Sequence, residues 1–393
     1  MALARIDWFH VALPLRKAIK HSSHERTTSE SIFVRATLDD GSIGFGEGVP
    51  RPYVTGESIA TAIEAIEAID VAPMLGEPDS FEQAVDRIDA VTLPTIQDDP
   101  RGMFGNAARC ALELALLDAF GRRFGRSVGD AVRHLIRGRR FLRPEPGPVR
   151  YSGAITAESP RKERISAIKM RAYGFRQVKV KVGVAGQDDP ARLRRFRLLL
   201  GSAMDLRLDA NEAWSAAEVL DRVEPLRRFD PSALEQPVPH AEIEAMAELR
   251  PRIGLPVMLD ESLCGEPDGR RAVERGLADL FNVRISKCGG IGPTLRLIEL
   301  ADRHGLGVQL GCHPGESGLL SAAGRHLACN LSGLRFLEGS YDRHVLLENP
   351  TTPDITFGYG GRAWPIPGPG LGVQVDPARL ERLSLAHREV SHG

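Results

Sequence analysis

The sequence predicts a modified (β/α)8-type TIM barrel preceded by an N-terminal α+β capping domain, and three observations predict it. The first is a repeat. Lys181, Asp209, Glu235, Asp260 and Lys287 each end a short apolar run, at steps of 28, 26, 25 and 27 residues. The second is that a helix-like amphipathic segment follows each run, so one step is one strand-plus-helix unit. The third is a change of grammar along the chain: before residue 125, strands come first and helices after, without β-α alternation.

Residues 3 to 13 and 31 to 47 read as strands. Ile32 to Leu38 alternates, Asp39-Asp40-Gly41-Ser42 supplies a turn, and Ile43 to Glu47 resumes, the pattern of an antiparallel meander. Helical spacing follows near 57–69, 80–90 and 105–123; the third is clearest, with Ala107, Cys110, Ala111, Leu114 and Leu117 on one stripe. These elements make a domain over 1–125. Segment 126–148, rich in arginine and proline, reads as a solvated linker rather than a nucleic-acid surface, since its basic run is isolated. Barrel strands are expected near 149–154, 177–182, 205–209, 232–235, 256–260, 281–286, 307–311 and 335–338, inside a barrel domain over 149–340. Helix 190–200 is expected to turn Arg192, Arg194, Arg195 and Arg197 to water. Residues 341–393 form a proline-rich segment, with a strand near 371–375 and a helix after Pro377, expected to pack back on the capping domain. Segments 17–26 and 48–56 read as loops.

A parallel barrel places its site at the C-terminal ends of its strands, so five successive strands deliver Lys, Asp, Glu, Asp and Lys to one mouth. Asp209, Glu235 and Asp260 would repel one another unless a cation or arginines compensated them. All-oxygen ligands select a hard cation, and magnesium fits best because it leaves positions for water and substrate. In Val178-Lys179-Val180-Lys181, positions i and i+2 share a face, so both ammonium groups project the same way. Lys181 and Lys287 lie four strands apart, on opposite sides of an eight-stranded mouth. A lysine in a partly dry, cationic site becomes a usable base. A metal on a substrate carboxylate stabilises the enolate left when the adjacent carbon loses its proton, and two opposed bases suit racemisation.

Composition bounds the alternatives. The 393 residues carry 51 basic and 52 acidic side chains, so no bulk attraction to nucleic acid or membrane is implied. No apolar run is long enough to span a bilayer, and no signal-peptide pattern opens the chain. The five scattered cysteines point to reduced thiols and a cytoplasmic setting; Cys288 and Cys312 fall near strand ends but read as small buried apolar groups. A homo-oligomer acting on a small carboxylate is expected.

The Lys-x-Lys strand, Asp209 with Asn211, Glu235 in Glu-Gln-Pro, Asp260 in Asp-Glu-Ser and Lys287 in Ile-Ser-Lys-Cys-Gly-Gly-Ile-Gly together resemble the muconate-lactonising branch of the enolase superfamily, over nearly the whole chain. The resemblance implies magnesium on Asp209, Glu235 and Asp260, acid/base roles for Lys181 and Lys287, and enolate stabilisation by Lys179. It also implies that loops 17–26 and 48–56 close over substrate and set specificity. The branch holds dipeptide epimerases, N-acylamino acid racemases, o-succinylbenzoate synthases and cycloisomerases; a catalytically silent binding protein is the reading outside enzymes. Two departures stand out. The Asp-x-Asp that holds a dipeptide ammonium at the eighth strand is absent, with Glu338 or Asp342 as substitutes. His313 follows the seventh strand, as in the mandelate-racemase branch, but that branch needs an Asp where Lys287 stands. Asn211, His313, Glu316 and Glu338 are the candidate substrate contacts.

Overall fold

The computed structural model describes residues 2–20, 25–94, 99, 101–156 and 159–390. Eight parallel strands form one sheet in chain order: Gly153–Ile155, Gln177–Lys181, Asp205–Asp209, Ala233–Glu235, Val257–Leu259, Leu280–Val283, Gly307–Leu310 and Leu334–Leu337. The Ser152 N–H donates to the Leu337 carbonyl at 2.8 Å, bringing the eighth strand back to the first. This is a (β/α)8-type barrel.

The N-terminal sheet is antiparallel, ordered Ser384–Val390, Leu3–Lys20, Glu25–Leu38, Ile43–Gly48. Its first two strands run well into the segment read as loop 17–26, and His21 and His24 lie outside the described residues. Its outer strand comes from the chain's other end. Gly44, Gly46 and Gly48 alternate along one face of Ile43–Gly48. A Cβ on each would stand 2.0–2.3 Å from the carbonyls of Ala115, Ala111 and Ala107 in helix Asn106–Phe124. Glycine is therefore what lets this buried helix lie directly on the strand.

Two expectations fail on side-chain partners distant in sequence. Segment 126–148 contains helix Val128–Leu135, started by a capping box between Ser127 and Asp130. Its arginines bond across the fold: Arg133 to Asn330 Oδ1, Arg143 to the Leu331 carbonyl, and Arg140 to Asp302. In helix Asp189–Leu200, Arg192 does not face water. It is buried, bonded to Glu163 and Asp189, and donates to the Lys181 carbonyl at 2.9 Å. All five cysteines are buried and free of disulfides. Among the described residues no helix is long and apolar enough to cross a membrane.

Candidate active site

Strand register assembles the site. Lys179 is the Cα partner of Arg207, Lys181 of Asp209, and Asp209 of Glu235. Neighbouring parallel strands in register point matched side chains the same way, so lysines, arginine and carboxylates meet at the barrel's C-terminal end.

Lys179 Nζ stands 3.2 Å from Asp209 Oδ2, 3.5 Å from Glu235 Oε1 and 3.1 Å from Glu338 Oε2. Burial opposes its charge, but the three carboxylates outweigh burial and hold its pKa well above the ordinary value. Lys179 is thus a fixed cation. Glu338 is buried, which works against ionisation, yet Lys179 and the bonded Arg207 bring it down to about 2. Glu235 is pushed up by burial, opposed by Lys179 and assisted by Asp209 and Glu338. Its Oε1 accepts from Asn282 Nδ2 at 2.9 Å, while its Oε2 has no hydrogen-bond donor and lies 3.5 Å from Arg207 Nε.

Asp260 is paired differently. Arg284 holds one oxygen, and Lys287 Nζ donates to the other at 2.8 Å. Lys287 also donates to the Asp260 and Asn282 carbonyls at 2.7 and 2.9 Å. Burial, then the Arg284 guanidinium, brings Lys287 down to about 8, against the pull of Cys288, Cys264 and Glu261. Lys181 is also lowered, burial outweighing Asp209 and Glu261. Two lysines of this site are therefore depressed and one is raised. Lys287 does not end a strand as expected: the sixth strand stops at Val283, and Lys287 sits on the helical turn Ile285–Cys288. Among the described residues no three acidic, imidazole or thiol groups lie at metal-holding spacing; Lys179, Arg284 and Lys287 stand among the carboxylates instead.

The backbone is strained just past two of these acids. Asn211, Glu212 and Gln236 have φ of 44°, 63° and 38°, a region costly for side chains larger than glycine and frequent at functional sites. Asn211 Nδ2 reaches Glu261 Oε1 at 3.4 Å, and its N–H donates to Asp209 Oδ1 at 3.2 Å. Gln236 Oε1 accepts from the Asp260 and Ser262 N–H groups at 2.9 and 3.2 Å, fixing the turn that presents Asp260.

The capping domain roofs the mouth. The Val49 N–H, in loop 48–56, donates to Ser286 Oγ beside Lys287, and Arg26 donates to the Pro314 carbonyl. Arg51 is buried, and its guanidinium bonds Ser29 Oγ and the Glu30 and Pro50 carbonyls. His313 is 2% exposed and its Nε2 has no partner. Burial, then Arg284, Arg51, Lys287 and Arg26, hold it neutral far below 6.5. Glu316 accepts from the His313 N–H at 2.9 Å and is pushed well up by burial. Asp342 is turned to Ser321 Oγ and Asn349, leaving Glu338 as the eighth-strand acid among the lysines. The sequence reading missed Arg207, Asn282, Arg284, Gln236 and Arg51. Arg207 was within reach, since it alternates with Asp209; the others depend on partners that no local pattern reveals.

A family model described as enolase C-terminal domain-like matches residues 163–379. The chain is 29% identical to an N-succinyl-L-Arg/Lys racemase of Bacillus cereus, over 98% of both chains. The crystal structure of that organism's N-succinyl Arg/Lys racemase aligns over the whole of each chain with a TM-score of 0.84 and 26% identity. A muconate cycloisomerase 1 of Rhodococcus opacus is 28% identical over 96% of both chains. A dipeptide epimerase of Cytophaga hutchinsonii, solved with Mg and D-Ala-L-Val, has a TM-score of 0.83 at 24% identity over the whole of each chain, a likeness of fold. With a match over more than half its length and relatives that span nearly all of it, the chain belongs to the enolase C-terminal domain-like family, in the muconate-lactonising branch of the enolase superfamily.

Proposed function

We propose that this isomerase abstracts and returns the proton α to the carboxylate of an N-acylamino acid, racemising it. The observation that carries this reading is the placement of Lys181 and Lys287. Lys181 ends the second strand and Lys287 lies on the helical turn just past the sixth, four strands on in an eight-stranded ring, so each would serve one face of the α-carbon. Lys179, held cationic by three carboxylates, supplies fixed positive charge rather than a base.

The donor chemistry of Asp209, Glu235 and Asp260, buried and all-oxygen, with the undonated Glu235 Oε2, suits a hard divalent cation, which would have to draw the three carboxylates together and away from Lys179, Arg284 and Lys287. Magnesium held there would supply charge stabilisation for the enolate. Gln236 orients the Asp260 turn, and Arg192 holds the Lys181 carbonyl, keeping strand two's end in place.

Two features favour an N-acyl group over a dipeptide's free ammonium. Glu338 is already neutralised by Lys179 and Arg207. Arg26 and Arg51 of the roof and Arg284 of the barrel are cationic, and each has a buried Nε without a hydrogen-bond acceptor. The similarity to an N-succinylamino acid racemase agrees with this. Asn211, His313 and Glu316 are proposed substrate contacts. The test is a panel of N-succinyl- and N-acetylamino acids, dipeptides and cis,cis-muconate with magnesium in deuterated buffer, followed by NMR. Exchange at the α-carbon of N-acylamino acids is expected. Lactonisation of muconate without such exchange would overturn the reading in favour of a cycloisomerase.

A further inference from the structure

The opposite end of the barrel carries a second charged cavity. Its volume is about 620 Å³, and Arg143, Arg150, Arg176, Arg335 and Arg362 line it together with Trp364 and Phe336. Arg176 precedes the second strand and Arg335 sits near the start of the eighth. The cavity therefore opens at the strands' N-terminal ends, away from the lysines and carboxylates.

Five arginines line this space and no acidic residue does. Arg143 donates to the Leu331 and Pro148 carbonyls and Arg150 to the Gly360 carbonyl, all neutral acceptors. Among the described residues none of the five is ion-paired. Arg150 and Arg362 are direct cross-strand partners in the short antiparallel pair of 149–150 with 362–363. Like charges placed directly opposite are destabilising, and Arg176 adds a third, so that burial and these two neighbours lower the Arg150 pKa. An anion would relieve this repulsion. The cavity is in the size range of small-ligand sites, about 300–1,000 Å³. Arginine forks match phosphate oxygens two at a time, and the 61%-exposed Trp364 offers a ring face.

We propose that this cavity binds a small ligand carrying at least two phosphate groups. Inorganic pyrophosphate and a nucleoside diphosphate share that chemistry, and Trp364 distinguishes them by receiving a planar base. The proposal is independent of the reaction assigned above.

The test is calorimetric titration of the full chain with pyrophosphate and with ADP, at two salt concentrations. One site per chain is expected, weakening with salt as an arginine–phosphate contact must. R176A/R335A should bind both ligands at least about tenfold more weakly. Because both side chains are exposed and lie away from the lysines, its isomerase turnover should be unchanged. W364A should weaken ADP but not pyrophosphate. If R176A/R335A melts early, the single variant R335Q must show the same direction of loss. Absence of binding at millimolar ligand, or affinity unchanged in both arginine variants, would overturn the proposal; equal loss of both ligands in W364A would overturn the base contact.

Discussion

The two ends of this barrel handle charge in opposite ways. At the C-terminal end, cations and carboxylates are buried in contact: Lys179 touches three acids, and Asp260 touches Arg284 and Lys287. At the N-terminal end, five arginines line a cavity without one acid. The paired end can be buried because each charge has its counter-charge, and a buried pair is costly to break but tolerable intact. The unpaired end stays largely open to water, which screens its repulsion. Removing a charge should therefore have opposite consequences at the two ends, and each experiment below tests part of that contrast.

The largest effect is expected at the lysines. Lys181→Ala and Lys287→Ala should each lower turnover in the proposed racemisation about 10²–10⁴-fold, the usual loss for a general acid or base. Each variant should still exchange the α-proton on the face served by the remaining lysine. Deuterium incorporation into each enantiomer measures this. Equal exchange into both enantiomers by one single-lysine variant rules out two opposed bases.

Asp260→Asn separates fold from chemistry. It leaves Arg284 and Lys287 buried beside a neutral amide, and stripping one partner from a buried pair costs about 3–5 kcal/mol. Its melting temperature should fall, and its turnover in the presence of magnesium should vanish. Chelation of the wild-type chain should abolish turnover while barely moving the melting temperature, because the lysines and Arg284 already compensate the acids. A chelated protein that melts as early as Asp260→Asn would contradict the assigned counter-charges.

The paired end was largely legible in the sequence, and the reason is periodic. A strand-plus-helix step of 25–28 residues places Lys181, Asp209, Glu235 and Asp260 without knowledge of any contact. Lys287 shows the limit. The apolar run continues past Val283 although the strand does not, since Ile285 is buried equally well in a helical turn. The other end was hidden because its residues come from distant segments. Arg150, Arg176, Arg335 and Arg362 are spread over more than 200 residues, and each reads alone as a solvated arginine. The helix at Val128–Leu135 was masked by its arginine-rich surroundings, although Ser127 and Asp130 form a capping signal three residues apart.

A third, smaller effect concerns how the tail is held. His326 is buried on helix Gly318–Asn330, and its Nε2–H donates to the Leu371 carbonyl of the tail at 3.0 Å. Burial brings its pKa from 6.5 to about 4. Below pH 6.5 the unfolded chain takes up a proton that the folded chain refuses until about pH 4. The stabilisation is thus complete above pH 6.5 and lost as pH falls towards 4, by up to about 3 kcal/mol. Denaturant titrations from pH 7 to 4 should show His326→Gln losing less stability than wild type over that window. Parallel curves would show that His326 does not set this dependence.

The smallest effect tests the unpaired end, and its sign is the point. Arg362 is exposed and faces Arg150 across two paired strands, with Arg176 beside them. A like-charge cross-strand pair costs roughly 0.2–1 kcal/mol, so Arg362→Gln should stabilise the chain by an amount of that order. The glutamine keeps the backbone pairing and most of the aliphatic stem, so lost packing is small. Salt should erase the gain, because the repulsion it relieves is screened over about 10 Å at 0.1 M. Pyrophosphate should reverse it: a bound anion compensates the wild-type arginines and does less for the variant, so wild type becomes the more stable chain once the cavity is filled. Melting temperatures of the two chains at low salt, high salt and with pyrophosphate make the comparison. A variant less stable than wild type at low salt would show that Arg362 is held by favourable contacts, and that this end is not repulsive.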